Sequence, residues 1–278
     1  MESEDNVDRF ERGIYLAKTS VGILAADKRL LLFTLLSAFC TIAVSIVMFL
    51  PVIDAVRQHS QTYEGLPITR LCILYFSTSF ISLFFNTALV AVVIERLHGG
   101  DLPFSAALWV AFDNLLSIVV LAAINATLGV FLETAARRLR IGTAIALALF
   151  GAAWSIAMFL VVPVMVAEGG DPFSVIARSV GLVRKTWGED ASSNFGMGFA
   201  VAIFVLPALV LFMIGGRSHD HATKLTCIGI AALYLALAWL IMTTLNQIVR
   251  AAIYFYAQTG EVPTGFDRLA IRSALSKD

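Results

Sequence analysis

Apolar residues along this chain occur in long uninterrupted stretches separated by short polar segments. A helix needs about 20 consecutive apolar residues to cross the hydrocarbon core of a membrane. Six stretches qualify, of which the third is the shortest: Leu30–Leu50, Leu71–Ile94, Leu115–Leu132, Ile141–Ala167, Phe195–Gly216 and Leu225–Val249. None of them contains an Asp, Glu, Lys or Arg. Because backbone groups in lipid must be satisfied within the segment, the pattern predicts an all-α membrane protein, a compact bundle of six transmembrane helices.

Two of the polar segments between these stretches have similar sequences. The sequence "VMVAEGGDPF" begins at residue 164, and a weaker copy, "IERLHGGDLPF", begins at residue 94. A third trace is the ungapped match of "NTALVAVVIERLHGGDLP" (86–103) to "NQIVRAAIYFYAQTGEVP" (246–263), and "SVGIL" at residue 20 echoes "SVGLV" at residue 179. Regular self-similarity marks duplicated units. We therefore expect one membrane domain, 1–278, with pseudo-repeats 8–95, 101–168 and 171–258 and a cytoplasmic tail, 259–278.

Each pseudo-repeat is expected to be an amphipathic helix followed by a two-span hairpin. In the third, Asp171 suits the N-cap and Pro172 the first helical position. Its predicted apolar stripe is Phe173, Ile176, Val180, Val183 and Trp187, with Arg178, Arg184 and Lys185 off the stripe. The stripe of the second repeat is Phe104, Ala107, Leu108, Ala111 and Leu115, and that of the first is Phe10, Ile14, Ala17, Val21 and Leu24. Such helices either lie at the headgroup level or pack beneath the bundle as a cytoplasmic collar, and the sequence leaves both open.

The paired glycines have a structural interpretation. Glycine adopts the left-handed conformation that ends many helices, so the cytoplasmic turns are predicted at Gly99, Gly100 and Asp101 and at Gly169, Gly170 and Asp171. A phosphate-cradling loop would need a strand before the glycines, and an apolar helix precedes them here.

The basic residues set the predicted orientation. With the N-terminus inside, thirteen of the 20 Lys and Arg residues fall on the cytoplasmic side and seven outside, as the positive-inside rule favours. The outer cluster Arg137, Arg138 and Arg140 opposes this orientation. The polar N-terminus does not have the form of a cleavable signal peptide. We expect a multi-pass protein of the cytoplasmic membrane with both termini in the cytoplasm.

Composition excludes several classes of function. The chain is 59% hydrophobic and 14% charged, with zero net charge and a mean hydropathy of +0.84, so no basic field predicts binding to nucleic acid. The three cysteines lie singly within apolar stretches, and the pair His219 and His221 is too few for a zinc site. Common nucleotide-binding and hydrolase motifs do not occur. We therefore predict no catalytic, cofactor-binding or metal-binding residues.

Five polar residues at or near membrane depth are the candidate intramembrane positions: Asn86, Asn125, Asn246, Gln247 and Arg250. Such groups usually face the bundle. They favour hydrogen bonds between helices, each worth about 0.6 to 2 kcal/mol; the alternative is a polar path through the protein.

Three segments carry a family resemblance: "FFNTALVAVVIERLHGGDLPF", "VMVAEGGDPFSVIARSVGLVRKTW" and "YFYAQTGEVPTGFD". Through them the chain resembles an uncharacterised family of prokaryotic six-span membrane proteins. Its layout is also similar to the membrane domain of some glycerophosphodiester phosphodiesterases, although the hydrolase domain is absent. Neither resemblance implies site residues.

The function expected from these patterns is a non-enzymatic scaffold or lipid-associated module. Its expected partners are membrane lipids, a second copy of the chain or other membrane proteins. The alternative is a small transporter or channel with a central path between the repeats, and a membrane-embedded lipid-modifying enzyme is the third hypothesis.

Overall fold

The structure is a computed structural model that describes residues 22, 24, 25, 27–57, 68–138, 141–187 and 221–260, with eight positions between 207 and 217. Regular structure in these ranges is helical throughout. In chain order the helices are α1 (Arg29–Arg57), α2 (Ile68–Leu97), α3 (Phe104–Asp113), α4 (Leu115–Arg138), α5 (Ile141–Ala157), α6 (Val161–Glu168), α7 (Pro172–Trp187) and α8 (His221–Thr259).

Among the described residues, five helical segments are long and apolar enough to cross a membrane. They are Arg29–Leu50, Ile68–Leu97, Leu115–Ala136, Ile145–Glu168 and Ala222–Thr259. They confirm the first, second, third, fourth and sixth predicted stretches as apolar helices. The fifth predicted span, Phe195–Gly216, lies largely outside the described residues; its described positions are helical and exposed. The fold is therefore an all-α membrane protein, as the sequence predicts.

The chain divides into two compact units, residues 32–185 and residues 1–31 with 186–278. In the first unit, α2 is the central helix and contacts α3, α4 and α6. Its half from Thr87 to Ile94 is buried on every side, as expected of a helix that is apolar all round. Lipid tails are as apolar as leucine, so close van der Waals packing, rather than removal from water, holds such helices together. The fully buried Ala88, Ala107 and Ala122 permit that close approach.

Helix α1 has one packed face and one open face within the unit of residues 32–185. The ring of Phe33 is fully buried and stacks on Phe104 of α3, with 4.6 Å between ring centroids. Phe39 and Ile42 lie on the open face and are 69% and 58% exposed. In a membrane, such a face contacts lipid.

The second unit contains the start of α1 and all of α8. Asp27 is buried, and its Oδ1 accepts hydrogen bonds of 3.0 Å from the backbone N–H and from Nε of Arg29. This carboxylate thus satisfies a free N–H at the start of α1. Helix α8 has 39 residues and is about 58 Å long at 1.5 Å per residue, so it extends beyond a hydrocarbon core of about 30 Å.

The fourth predicted span is an apolar helical segment that contains a break. The fourth stretch is not one continuous helix, because Met158–Leu160 forms a turn between α5 and α6. The single domain and the three pseudo-repeats stay predictions. The amphipathic helix of the first repeat lies largely outside the described residues.

Candidate functional site

The turn at Met158–Leu160 changes the hydrogen-bond pattern of the fourth span. Phe159 donates to the carbonyl of Ile156 at 3.1 Å, and Val161 donates to the carbonyl of Met158 at 3.4 Å. These i→i−3 bonds replace the α-helical i→i−4 pattern. As a result, neither the N–H of Leu160 nor the carbonyl of Ala157 has its usual helical partner. Pro163, which has no N–H to give to the carbonyl of Phe159, provides a local cause for the break.

The hydroxyl of Ser179, on α7, bonds both of these groups. Its Oγ accepts a hydrogen bond from the N–H of Leu160 at 3.2 Å and donates one to the carbonyl of Ala157 at 2.7 Å. Ser179 is fully buried. Broken helices are tolerated in membranes where neighbouring groups such as Ser side chains satisfy the freed backbone. We call the break together with this hydroxyl the Ser179 bridge.

Further polar contacts hold α7 and the turn that precedes it. Nε of Arg178 lies 3.1 Å from Oε1 and 3.0 Å from Oε2 of Glu168 at the end of α6. Ser117, near the start of α4, donates its hydroxyl to the carbonyl of Gly170 at 3.2 Å. Asp171 Oδ2 accepts the N–H of Ser174 at 3.0 Å. This last bond confirms the predicted N-cap, and Pro172 is the first helical residue as predicted.

The buried face of α7 differs from the predicted stripe. Val175, Ser179, Leu182 and Val183 are buried, whereas Phe173 is 66% exposed. Ile176 and Val180 are half-buried. Since each residue turns the helix by about 100°, the packed face lies roughly a quarter turn from the centre of that stripe. The predicted stripe is therefore only partly buried: Val183 packs inward, Phe173 lies on the open side, and Ser179 lies near the centre of the buried face. The three basic positions Arg178, Arg184 and Lys185 are exposed, and the side chain of Trp187 lies outside the described residues.

Helix α3 shows a similar division of its surface. Ala107 and Ala111 are fully buried, as predicted, whereas Trp109 and Phe112 are 68% and 53% exposed. Leu115 does not belong to this helix, because α3 ends at Asp113 and Leu115 begins α4. Both short helices thus pack one face on the protein and expose large apolar side chains on another.

The first glycine turn has the left-handed geometry that the sequence predicts, whereas the second has a different one. Gly99 has a φ of 87°, and the N–H groups of Gly99 and Gly100 reach the carbonyls of Arg96 and Glu95 at 3.0 Å. These two bonds form a Schellman motif with Gly99 in the left-handed position. Gly169, at the C-cap of α6, has a φ of 65° but a ψ of −157°, which lies outside the left-handed helical region. Gly170 has a φ of 102°. Asp101 lies 3.9 Å from Arg96 and does not cap α3, because Pro103 occupies the N-cap without a side-chain hydrogen bond.

The intramembrane polar positions lie in both units. Asn125 Oδ1 accepts a hydrogen bond of 2.9 Å from Nε1 of Trp154, joining α4 to α5. Asn86 is half-buried on α2. Asn246, Gln247 and Arg250 lie within about one turn of α8, where Gln247 is buried. At Asn125 the structure therefore shows the interhelical hydrogen bond that the sequence favours.

Sequence reasoning did not single out Ser179 as a functional residue. Two features of the sequence could have indicated its role: a hydroxyl among the apolar positions of α7, and the "SVG" motif that it shares with residues 20–22. The corresponding Ser20 lies outside the described residues. In the ranges that the structure describes, no three His, Cys, Asp or Glu side chains come together as metal ligands would.

The helices define the class of this protein as a multi-span α-helical membrane protein. Residues 67–266 match a family model described as a family of unknown function (DUF6159). Since the match covers most of the chain, the protein belongs to this family. Neither the curated proteins nor the solved structures contain a match. The similarity of layout to the membrane domain of glycerophosphodiester phosphodiesterases finds no support in these comparisons.

Proposed function

We propose that this protein is a lipid-associated scaffold of the cytoplasmic membrane, which holds short helices at the headgroup level on a bundle of six spans. The observation that carries the proposal is that α3 and α7 each have one packed face and one exposed apolar face. Each helix packs one face on the membrane helices and leaves aromatic side chains outside, Trp109 and Phe112 on α3 and Phe173 on α7.

A helix in a water-exposed collar would gain nothing from exposing these rings. Aromatic side chains are enriched where hydrocarbon meets water, and a helix at the interface buries its apolar side among headgroups and acyl chains. The exposed Arg178, Arg184 and Lys185 add attraction to anionic headgroups, on the order of 1 kcal/mol each. This combination supports the headgroup level over the collar.

The transporter is the second candidate, because discontinuous helices often form substrate sites in transporters. In those sites, unwound backbone groups remain available to coordinate ions. Here the Ser179 hydroxyl already bonds the freed groups of the break, and the side-chain oxygen Oδ1 of Asn125 accepts a hydrogen bond from Nε1 of Trp154. Both observations favour the scaffold. Cysteine in place of Asn125 should resist a water-soluble thiol reagent in vesicles, and rapid reaction there would favour a polar path.

The position of α7 is tested with the full-length protein in anionic vesicles. In a background without the native cysteines, an environment-sensitive fluorophore is attached at Phe173→Cys or, as the control, at Lys185→Cys, about 120° around the same helix. We expect blue-shifted emission and quenching by spin-labelled lipids at position 173, and quenching by aqueous iodide at position 185. Equal exposure of both positions to iodide would establish the collar and remove the basis of the proposal.

Orientation and repeat belong to the same proposal. The glycine turns after α2 and α6, each followed by a short helix, support the pseudo-repeat. With both termini in the cytoplasm, cysteines at positions 100, 170 and 265 should be protected from an impermeant reagent in intact cells. A cysteine at position 60 should react. Labelling of the glycine turns from outside would reverse the orientation.

A further inference from the structure

Helices α6 and α7 form a hairpin that is closed at both ends. The turn at residues 169–171 joins them at one end, and the Ser179 bridge joins α7 to the start of α6 at the other. Leu160 precedes Gly169 by nine residues, and Ser179 follows Gly170 by nine, so each arm is about 14 Å long. Two arms of equal length that meet at both ends lie side by side, and α7 therefore returns along α6.

The turn of this hairpin has the features of a hinge. Hinges are a few residues, often small, that absorb changes in φ and ψ. The two glycines of the turn have φ values of 65° and 102°, and a Cβ at Gly169 would have open space around it. The carbonyl of Gly170 accepts the hydroxyl of Ser117 at 3.2 Å, which ties one point of the turn to α4. Rotation about this point would move α7 and leave the turn in place.

The backbone groups at the break have a second set of possible partners. In the structure, Ser179 bonds the N–H of Leu160 and the carbonyl of Ala157. In an uninterrupted α-helix, the N–H of Leu160 would instead donate to the carbonyl of Ile156, and the carbonyl of Ala157 would accept from Val161. Either arrangement satisfies both groups, as a membrane requires. The fourth span can therefore exist in two discrete forms, one with α7 docked and one with α7 released.

The ion pair between Arg178 and Glu168 makes the docked form sensitive to lipid charge. Its side chains are 49% and 28% exposed, and exposed ion pairs are weak. An anionic headgroup that approaches Arg178 in the docked form also approaches the Glu168 carboxylate, which repels it. Arg184 and Lys185 are already exposed when α7 is docked, so they attract such headgroups in either form. Because a ligand shifts an equilibrium only by its differential affinity for the two forms, Arg178 carries the difference.

We propose that α7 is a hinged helix whose release from the fourth span is favoured by anionic phospholipids. Release replaces the Glu168 carboxylate by lipid phosphates as the partner of Arg178 and lets the fourth span rewind into a continuous helix. The Ser179 hydroxyl, at the headgroup level, then bonds water. Since α6 packs on the central helix α2, rewinding transmits the charge of the lipid to the bundle. This proposal rests on the proposed function, because a released α7 has to lie among headgroups.

The distance between two spin labels on the full-length protein tests the proposal. In a background without the native cysteines, the labels are attached at Ala153→Cys on α5 and Lys185→Cys on α7, both exposed positions. The protein is placed in nanodiscs of phosphatidylcholine or of phosphatidylglycerol with the same acyl chains. We expect a shorter distance from the docked form and a longer one from the released form. The ratio of longer to shorter should rise about fivefold in phosphatidylglycerol, the factor that one basic side chain near an anionic leaflet contributes.

Two charge-matched variants separate the ion pair from a general effect of lipid charge. Glu168→Gln should raise the ratio in phosphatidylcholine and remove most of its dependence on the headgroup, because Arg178 then meets headgroups in both forms. Glu95→Gln removes an exposed carboxylate near the other glycine turn and should behave as the native protein does. The same distance in both lipids, or equal behaviour of the two variants, would overturn the proposal.

The hinge and the proposed function fail in different ways. An unchanged label distance, with position 173 still quenched by spin-labelled lipids, would refute the hinge alone. Quenching of position 173 by aqueous iodide would refute the headgroup location of α7 and the hinge with it.

Discussion

Replacement of Ser179 by Ala tests whether the Ser179 bridge holds the two halves of the broken fourth span, α5 and α6, together. The change removes one oxygen that donates to the carbonyl of Ala157 at 2.7 Å and accepts from Leu160 at 3.2 Å. Both backbone groups would then lack these partners at a fully buried position. A buried group left without a hydrogen bond costs about 1 to 3 kcal/mol. Two such groups give about 2 to 6 kcal/mol. Interhelical hydrogen bonds in membranes average only about 0.6 kcal/mol, because the unfolded chain in the membrane also finds partners, so we expect a loss in the lower part of that range, about 2 to 4 kcal/mol.

The free energy of unfolding in bicelles, measured for the full-length protein, provides the assay. The matched control is Ser155→Ala, in which the lost hydroxyl is exposed and bonds only within its own helix, to the carbonyl of Gly151 at 3.0 Å. We expect the control to change stability by less than about 0.5 kcal/mol.

Hydrogen exchange gives a local measurement of the same effect. The amide of Leu160 should exchange at least about tenfold faster in Ser179→Ala, since 1.4 kcal/mol corresponds to a factor of ten. If Ser179→Ala and Ser155→Ala have the same stability and the Leu160 amide stays protected, the break is satisfied in another way and the reasoning is refuted.

Three further predictions concern single contacts. Gly129→Ala should destabilise the protein by about 1 to 3 kcal/mol, because its Cβ would lie 2.7 Å from the Tyr75 ring. The control Gly151→Ala, whose Cβ would make an ordinary 3.9 Å contact, should stabilise the protein by about 0.5 to 1 kcal/mol. Equal changes in the free energy of unfolding for the two variants would contradict the packing of Tyr75 on Gly129. A double-mutant cycle of Asn125→Ala and Trp154→Phe should give a coupling of about 0.6 to 2 kcal/mol, and additive effects would mean that their hydrogen bond contributes nothing. Gly99→Ala should lower the free energy of unfolding by about 1 kcal/mol because φ is 87° there; an unchanged value would show that the turn adapts.

The sequence alone determined the features that depend on local chemistry. An apolar stretch of sufficient length must be helical in lipid, so five spans could be predicted from hydrophobic length alone. The N-cap at Asp171 and the first helical position of Pro172 follow from neighbouring residues, and so does the left-handed Gly99 at the end of α2. In each case, the partners of the bond lie within a few positions along the chain.

The tertiary structure decided which groups meet across helices. The N–H of Leu160 is satisfied by Ser179, nineteen positions later, and Ser179 lies near the centre of the buried face of α7. Asn125 is one of five candidate intramembrane positions, and its partner, Trp154 on α5, is not among the other four. In water, hydrophobicity predicts the inward face of a helix, but lipid is as apolar as the protein interior and removes that signal. The faces that pack are then chosen by close fit and by bonds between distant residues, which hydrophobic periodicity does not encode.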